Sequence, residues 1–181
     1  IGIHIADVTH YVQPDSKLEE EAYRRATSVY LVDRTIPMLP EKLSNGLCSL
    51  RPHEDKLVFS AVFEMTPEGK LVNEWFGRAV IHSDKRFAYE EAQEILDKVY
   101  PDESVQAQFE PVLIHLNTLA KTFREKRFAK GAFNFETPEV KFQLSEDGTP
   151  IGIYTKVRKD AHKLIEEFML LANKRVAEFI F

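Results

Sequence analysis

Two prolines, Pro37 and Pro40, restrict the backbone of this chain more strongly than any other closely spaced pair in it. Proline fixes its own φ angle and pushes the preceding residue into an extended conformation. The segment 36–39 is therefore predicted to be extended and apolar. Leu43, Leu47 and Leu50 follow at helical spacing and predict a short helix that faces a core. This pattern is typical of a buried connector between a helix and a strand, and a functional loop is the alternative.

Size and charge favour an ordinary globular protein. The chain has 181 residues, of which 44% are hydrophobic and 29% charged, enough for one domain with its own core. Its net charge of −5 argues against a basic nucleic-acid coat protein, but allows an enzyme with a local basic channel. No apolar run is long enough to span a membrane, and no signal peptide is visible, so we expect a cytoplasmic protein without a membrane partner.

The termini and the single cysteine place further limits on the chain. It begins without Met in a strand-like pattern and ends on the apolar residues 179–181 of a helix that has no stop signal. We interpret residues 1–181 as a single domain that is truncated at both ends.

Cys48 has no cysteine partner for an intrachain disulfide, and no Cys/His cluster suggests a zinc site.

Hydrophobic periodicity predicts a mixture of strand pairs and helices. Ser16 and Glu19 form a capping-box pattern for a helix ending near Tyr30, and Asp160 is predicted to cap the final helix. The predicted strands are 1–12, 56–66, 70–82, 139–144 and 151–157. The other predicted helices are 89–99 and 105–129. Turn residues at 67–69 and 146–148 join neighbouring strands into hairpins, so the fold class is α+β, with antiparallel hairpins packed against helices.

Candidate metal ligands and nucleophiles are sparse. The nine aspartates are scattered, with no DxD or DD pair. Glu166 and Glu167 form the one acidic pair in an apolar helix. They are either a functional pair or a surface pair in which one carboxylate is exposed and the other is paired with Lys163 or Arg158. Cys48 lies near His53 without an orienting acid, which favours a buried small residue.

Histidines flank an aspartate near the start of the chain. His4 and His10 would share one face of the predicted first strand, and Asp7 would face the other way. This arrangement predicts no His-Asp-His ligand set.

Four aromatic residues occur near the ends of predicted elements: Tyr30, Tyr89, Phe133 and Phe135. Such rings either pack at the rim of a core or stack on the bases of a single-stranded nucleic acid. Phe133 and Phe135 alternate and so share one face, which allows either role. Spacing alone does not choose between the two.

Four ordered motifs resemble one known enzyme family. Residues 3–12 (IHIADVTHYV) are similar to its HIADVxHYV strand, and residues 18–30 to its LDxEAxxRxTSVY helix. Residues 36–50 (IPMLPEKLSNGLCSL) are similar to IPMLPxxLSxxLCSL, and residues 165–173 (IEEFMLLAN) to IEExMxxAN. Together they resemble the ribonuclease II/ribonuclease R (RNB) exoribonuclease family, most closely the central part of the catalytic domain of bacterial ribonuclease R.

The resemblance implies a function and site residues. Family members are processive 3′→5′ hydrolytic exoribonucleases that use Mg²⁺ and release nucleoside monophosphates from single-stranded RNA. By position in the motifs, Tyr30 would stack near the RNA 3′ end and Phe135 would be the opposing ring. Tyr89 and Glu166 would contact RNA and favour ribose over deoxyribose, and Asp7 would have a supporting role.

The family's catalytic aspartates and its active-site arginine fall outside residues 1–181. The resemblance therefore implies no catalytic or metal-binding residue within this chain, with Mg²⁺ held by aspartates elsewhere in the parent protein. We expect the isolated chain to be unable to hydrolyse RNA. One alternative is a catalytically dead RNB-like module that binds RNA, and another is an unrelated metabolic α+β enzyme. The sequence does not indicate an oligomeric state.

Overall fold

The computed structural model describes residues 1–100, 105–133 and 139–181. Within these residues, the strands are β1 (Gly2–Ala6), β2 (Val29–Tyr30), β3 (Thr35–Ile36), β4 (Asp55–Met65), β5 (Leu71–His82), β6 (Glu139–Leu144) and β7 (Pro150–Lys156). The α-helices are α1 (Val8–Tyr11), α2 (Lys17–Arg25), α3 (Tyr89–Asp97), α4 (Val105–Ala129) and α5 (Asp160–Ile180). Lys42–Leu47 is a π-helical segment. All strand pairs are antiparallel, and the predicted α+β class is confirmed.

The main sheet contains β1, β4 and β5, with β4 in the centre. Ile3 lies opposite Ala61, and Ala61 lies opposite Phe76, so these three side chains share one face of the sheet. Ala172 of α5 packs against this face. One face of the sheet is therefore covered by the last helix of the chain.

A second layer of the core lies between α4 and α5. Leu119 and Ala120 of α4 are buried against Leu164 and Phe168 of α5. Ile3 packs against this cluster as well as against the sheet cluster, so the two clusters form a continuous core. Burying a side chain such as Leu119 contributes roughly 2 kcal/mol, which makes this junction the main anchor of α5.

The turn between β4 and β5 has the position and glycine that the sequence predicted. Gly69 has a φ of +73°, a left-handed conformation that glycine adopts without strain. A Cβ atom at Gly69 would also lie 2.7 Å from the ring of Phe123 on α4. The glycine therefore permits both the tight turn and the close packing of the hairpin on α4.

The prediction of a first strand over 1–12 is wrong beyond Ala6. Asp7 leaves the extended conformation, and its carboxylate accepts a hydrogen bond of 2.6 Å from the Thr9 hydroxyl. Such local bonds from Asp and Thr stabilise turns at the expense of strands. The chain then forms the short helix α1, so His4 and His10 do not share a strand face.

Helix α2 begins as predicted, but it ends earlier. The Ser16 hydroxyl accepts the Glu19 N–H at 3.1 Å, as expected for an N-cap. The helix ends at Arg25 rather than near Tyr30, with Ala26 in a left-handed conformation. The β-branched residues after it favour extended structure, and the Ser28 hydroxyl accepts the Met38 N–H at 2.9 Å. The chain is thereby tied to the segment that follows Pro37.

The three leucines after Pro40 do not share one buried face. Leu43 is buried, whereas Leu47 is exposed. Hydrogen bonding in a π-helix links residues five apart, so residues four apart no longer lie above one another. The predicted helix is present, but only Leu43 anchors it in the core.

Asp160 is the first residue of α5 rather than its cap, which is Lys159. The Asp160 carboxylate lies 2.9 Å from Lys121 Nζ on α4. The hydrogen bond from Lys121 lowers the pKa of Asp160 below its usual value. A carboxylate in the first turn also interacts favourably with the helix dipole.

Candidate nucleic-acid interface

The acidic pair on α5 divides between the core and the surface. Consecutive residues of a helix point about 100° apart, and here Glu167 is 3% exposed while the Glu166 side chain is 31% exposed. Glu167 accepts hydrogen bonds from Arg127 Nε at 3.3 Å and Nη2 at 2.5 Å. The reading of one exposed carboxylate beside one paired with Lys163 or Arg158 therefore holds only in part, because the more exposed Glu166 is the one that pairs with Arg158, and the buried Glu167 pairs with Arg127.

Glu166 lies between two guanidinium groups. Arg158, in the connection between β7 and α5, donates from Nη2 to Glu166 Oε2. The other oxygen, Oε1, lies 4.0 Å from Arg127 Nη2. The two oxygens of a carboxylate offer about four acceptor positions, so Glu166 can accept further hydrogen bonds from a ligand.

Tyr89 stacks against α5 close to Glu166. Its ring lies parallel to that of His162, with centroids 4.1 Å apart and an interplanar angle of 11°. The Gln93 side-chain oxygen accepts the Ala161 N–H at 3.0 Å, which fixes α3 against the start of α5. His162 and Glu166 are four residues apart on α5 and so lie on one side of it. The fold thus stacks Tyr89 of α3 on α5 one turn before Glu166, the other predicted RNA-contacting residue in this region.

A cleft of about 260 Å³ adjoins the Tyr89–His162 stack. Tyr154 of β7, Val157 and Lys159 also line the cleft, together with Glu90. Tyrosine and histidine rings next to a lysine provide both a surface for base stacking and a positive charge for phosphate. The cleft is chemically suited to part of a nucleotide.

Tyr30 lies on the separate β2–β3 hairpin. Its side chain is 79% exposed, and its strand partner is Thr35. Arg25 Nη1 donates to the Pro37 carbonyl at 3.2 Å and links the hairpin to α2. Among the described residues, no hydrogen bond or ring contact joins Tyr30 to Tyr89 or Glu166. The ring is available for stacking, but the fold described does not bring it to the other two residues.

Asp7 is buried at the end of β1, and polar groups surround it. Its carboxylate accepts from Thr9 and lies 3.0 Å from Arg78 Nε, while its N–H donates to the Leu57 carbonyl at 3.0 Å. The Thr9 hydrogen bond, followed by the charge of Arg78, lowers the pKa of Asp7. The carboxylate is thus ionised and fixed in position.

Cys48 is less buried than the sequence predicted, since its side chain is only partly buried. This burial nevertheless raises the pKa of its thiol. The protonated thiol is a poor nucleophile. His53 is tied through its own N–H to the Ser83 carbonyl at 2.7 Å, and no contact with Cys48 is seen in the described ranges.

A family model for the RNB domain matches residues 1–181, which is the whole chain. The chain belongs to the RNB domain family. The resemblance found in the four sequence motifs is therefore confirmed.

Relatives of this RNB domain include eukaryotic and bacterial exonucleases. It is 44% identical to DIS3-like exonuclease 2 of Schizosaccharomyces pombe, over 99% of this chain and 20% of that protein. It is also 44% identical to ribonuclease R of Thermotoga maritima, over 98% of this chain and 25% of that protein. The chain thus spans about a fifth to a quarter of the length of these relatives.

A solved structure has the same fold. RNase R of Mycoplasma genitalium, in complex with double-stranded RNA, superposes with a TM-score of 0.91 and 30% identity. The match covers 99% of this chain and 32% of that one.

Phe135 lies outside the described residues, so its predicted position opposite Tyr30 is not tested. Its neighbour Phe133 is 81% exposed and does not pack in the core. Of the two roles weighed for Phe133, a surface role is the one that fits this exposure.

Within the described part of the RNB domain, no group of three or more His, Cys, Asp or Glu side chains could hold a metal ion. These residues therefore do not fit the Mg²⁺ that the family resemblance implies. Over the same ranges, no helix is long and apolar enough to cross a membrane.

The structure adds residues that the sequence did not single out. Arg127 and Arg78 bind the carboxylates of Glu167 and Asp7 across 40 and 71 positions of sequence. No local sequence pattern predicts such ion pairs, since each depends on how elements distant in sequence pack together. His162 is different: its spacing of four from Glu166 on one helix was a usable signal.

Proposed function

We propose that the protein carrying this RNB domain is a processive 3′→5′ hydrolytic exoribonuclease that degrades single-stranded RNA to nucleoside monophosphates. The proposal is supported by family membership over all 181 residues and by relatives that are named exonucleases. The geometric observation that carries it is the position of Glu166, which is held by Arg158 and lies one turn along α5 from His162, the residue on which Tyr89 stacks.

Glu166 is suited to recognise ribose. A 2′-hydroxyl is the group that distinguishes RNA from DNA, and a carboxylate accepts its hydrogen bond. Tyr89 presents one ring face to His162, which lies one turn before Glu166 on α5, and we propose that it contacts the same RNA. Tyr30 and Phe135 are proposed to stack on bases nearer the 3′ end, where each base stacked is worth roughly 1–3 kcal/mol.

Asp7 is proposed to support the site rather than to react. Its carboxylate is committed to Thr9 and Arg78 at the end of β1. Mg²⁺ is proposed as the cofactor on the family resemblance alone, with ligands outside residues 1–181. When bound, such ions would stabilise the charge that develops on phosphate oxygens.

The test uses the full-length protein, Mg²⁺ and 5′-labelled single-stranded RNA. We expect stepwise shortening from the 3′ end, release of nucleoside monophosphates, and few intermediates while substrate remains in excess. Binding without shortening would instead favour the catalytically dead RNA-binding module. RNA bound no better than a polyanion control would favour the unrelated metabolic enzyme.

Residues 1–181 expressed alone should give no products in the same assay. Single-nucleotide laddering that survives repurification would contradict this expectation. In the full-length protein, Glu166→Ala should relax the preference for RNA over DNA. Unaltered selectivity would remove Glu166 from the proposed site.

A further inference from the structure

We propose that Arg158 is a positioning residue for RNA recognition: it holds the Glu166 carboxylate in the orientation that accepts a ribose 2′-hydroxyl. The inference rests on the proposed function and extends it to a residue that would not itself need to touch RNA. Arg158 lies before α5, whereas Glu166 lies in the second turn of that helix. The pair therefore depends on how the β7–α5 connection folds back against the helix.

The two oxygens of Glu166 have different surroundings. Oε2 accepts the hydrogen bond from Arg158. Oε1 is 4.0 Å from Arg127 Nη2, beyond hydrogen-bonding distance. Arg127 directs this group and its Nε to Glu167 instead. Oε1 thus keeps acceptor capacity, and the partly exposed side chain lets a ligand reach it.

The side chain of an unpaired glutamate on a helix has no fixed orientation. It has three rotatable bonds, and ordering them upon ligand binding costs entropy. An arginine that already fixes one oxygen removes part of this cost, as expected for a preorganised site. The planar guanidinium also restricts the plane of the carboxylate more than a lysine ammonium would.

The test compares full-length wild type, Arg158→Gln and Arg158→Lys. The probes are 5′-fluorescein-labelled oligouridylates, each with one 2′-deoxy position, and binding is measured by anisotropy in EDTA so that catalysis is absent. In the wild type, deoxy substitution at the position contacted by Glu166 should weaken binding roughly tenfold or more, the size of a hydrogen bond to a charged group. In Arg158→Gln this penalty should fall to about twofold or less, and Arg158→Lys should restore part of it.

Arg175→Gln is the matched control. Arg175 lies on the same helix and pairs with Glu74 at 2.6 Å, in a pair at least as buried as Arg158–Glu166. Its loss should lower Tm without changing the deoxy penalty. An equal decrease in the penalty for Arg175→Gln and Arg158→Gln would show a general loss of stability and overturn the positioning role.

A double mutant tests whether Arg158 acts through Glu166. In a Glu166→Gln background, adding Arg158→Gln should change the deoxy penalty no further. If the wild type shows the penalty and both Arg158 variants retain it in full, the inference fails while the proposed function stands. If the wild type binds RNA no better than a polyanion control, both fail.

Discussion

The junction of α4 with α5 and the β2–β3 hairpin each supply a predicted RNA-contacting residue, but they are built in opposite ways. The junction buries Leu119, Leu164 and Phe168, and Glu166 projects from its edge. All strand residues of the hairpin are exposed, including Tyr30. A two-stranded hairpin is at best marginally stable alone. Burial therefore fixes the position of Glu166, whereas local hydrogen bonds fix that of Tyr30.

The largest expected effect comes from removing a core side chain at the junction. Phe168→Ala should lower the free energy of unfolding by roughly 3–5 kcal/mol, because it leaves a cavity beside Leu119 and Phe123. Val29→Ala in the hairpin should cost less than about 1 kcal/mol, since about half of Val29 is exposed. Urea unfolding of both variants checks this contrast. Equal losses would mean that the hairpin is as tightly packed as the junction.

Breaking the ion pair between Arg127 and the buried Glu167 should have the next largest effect on the free energy of unfolding. Arg127→Gln should cost about 2 kcal/mol, less than the 3–5 kcal/mol typical of a fully buried pair. The reduction is expected because Arg127 is partly exposed and Arg124 remains 3.6 Å from Glu167. Arg24→Gln, which breaks an exposed pair with Glu21 on α2, should leave the unfolding midpoint unchanged. A silent Arg127→Gln would show that Glu167 does not need this partner.

Tyr30→Ala should separate function from stability. The exposed ring contributes little to folding, so Tm should stay nearly constant. In the full-length protein, the limit product of RNA degradation should change in length, because a stacking surface is lost. Tyr23→Ala is the matched control, since that tyrosine is 84% exposed on α2. Unchanged end products for Tyr30→Ala would count against its proposed role.

The smallest expected effect is that of acid on stability, and it should differ between the junction and the hairpin. Hydrogen bonds from Lys121 and Arg34 lower the pKa values of Asp160 and Asp33, respectively. A carboxyl whose pKa is lower in the folded state stabilises the fold above its unfolded pKa, and loses that contribution as the pH falls through the folded value. Both contributions should therefore be present above about pH 5 and decline toward about pH 3.

Urea unfolding midpoints measured across this pH range provide the check. Lys121→Gln, at the junction, should make the unfolding midpoint depend less on pH. Asp33→Asn, at the hairpin, should change this pH dependence by a smaller amount. The hairpin pair is exposed, so added salt should screen it more strongly. A steeper loss from Asp33→Asn than from Lys121→Gln would reverse the comparison.

Prediction from the sequence succeeded where local patterns and the fold agree. The turn at Gly69 and the helix α4 lie where glycine and apolar spacing predicted them. It failed where a side chain competes with the backbone pattern. Asp7 ended β1 through its bond to Thr9, and Ser28 joined the chain after α2 to Met38. Neither bond can be inferred from the alternation of apolar residues.

The sequence by itself determined the α+β class and, through ordered motifs, membership of the RNB domain family. Only the tertiary structure decided that Glu167 turns into the core while Glu166 stays accessible beside Arg158. It also decided that Tyr89 stacks on His162. The physical reason is the distance along the sequence between the residues that interact. Periodicity shows which face of an element is apolar, because that face is set by residues close together in sequence. Ion pairs and ring contacts between distant segments depend on packing, which no local spacing records.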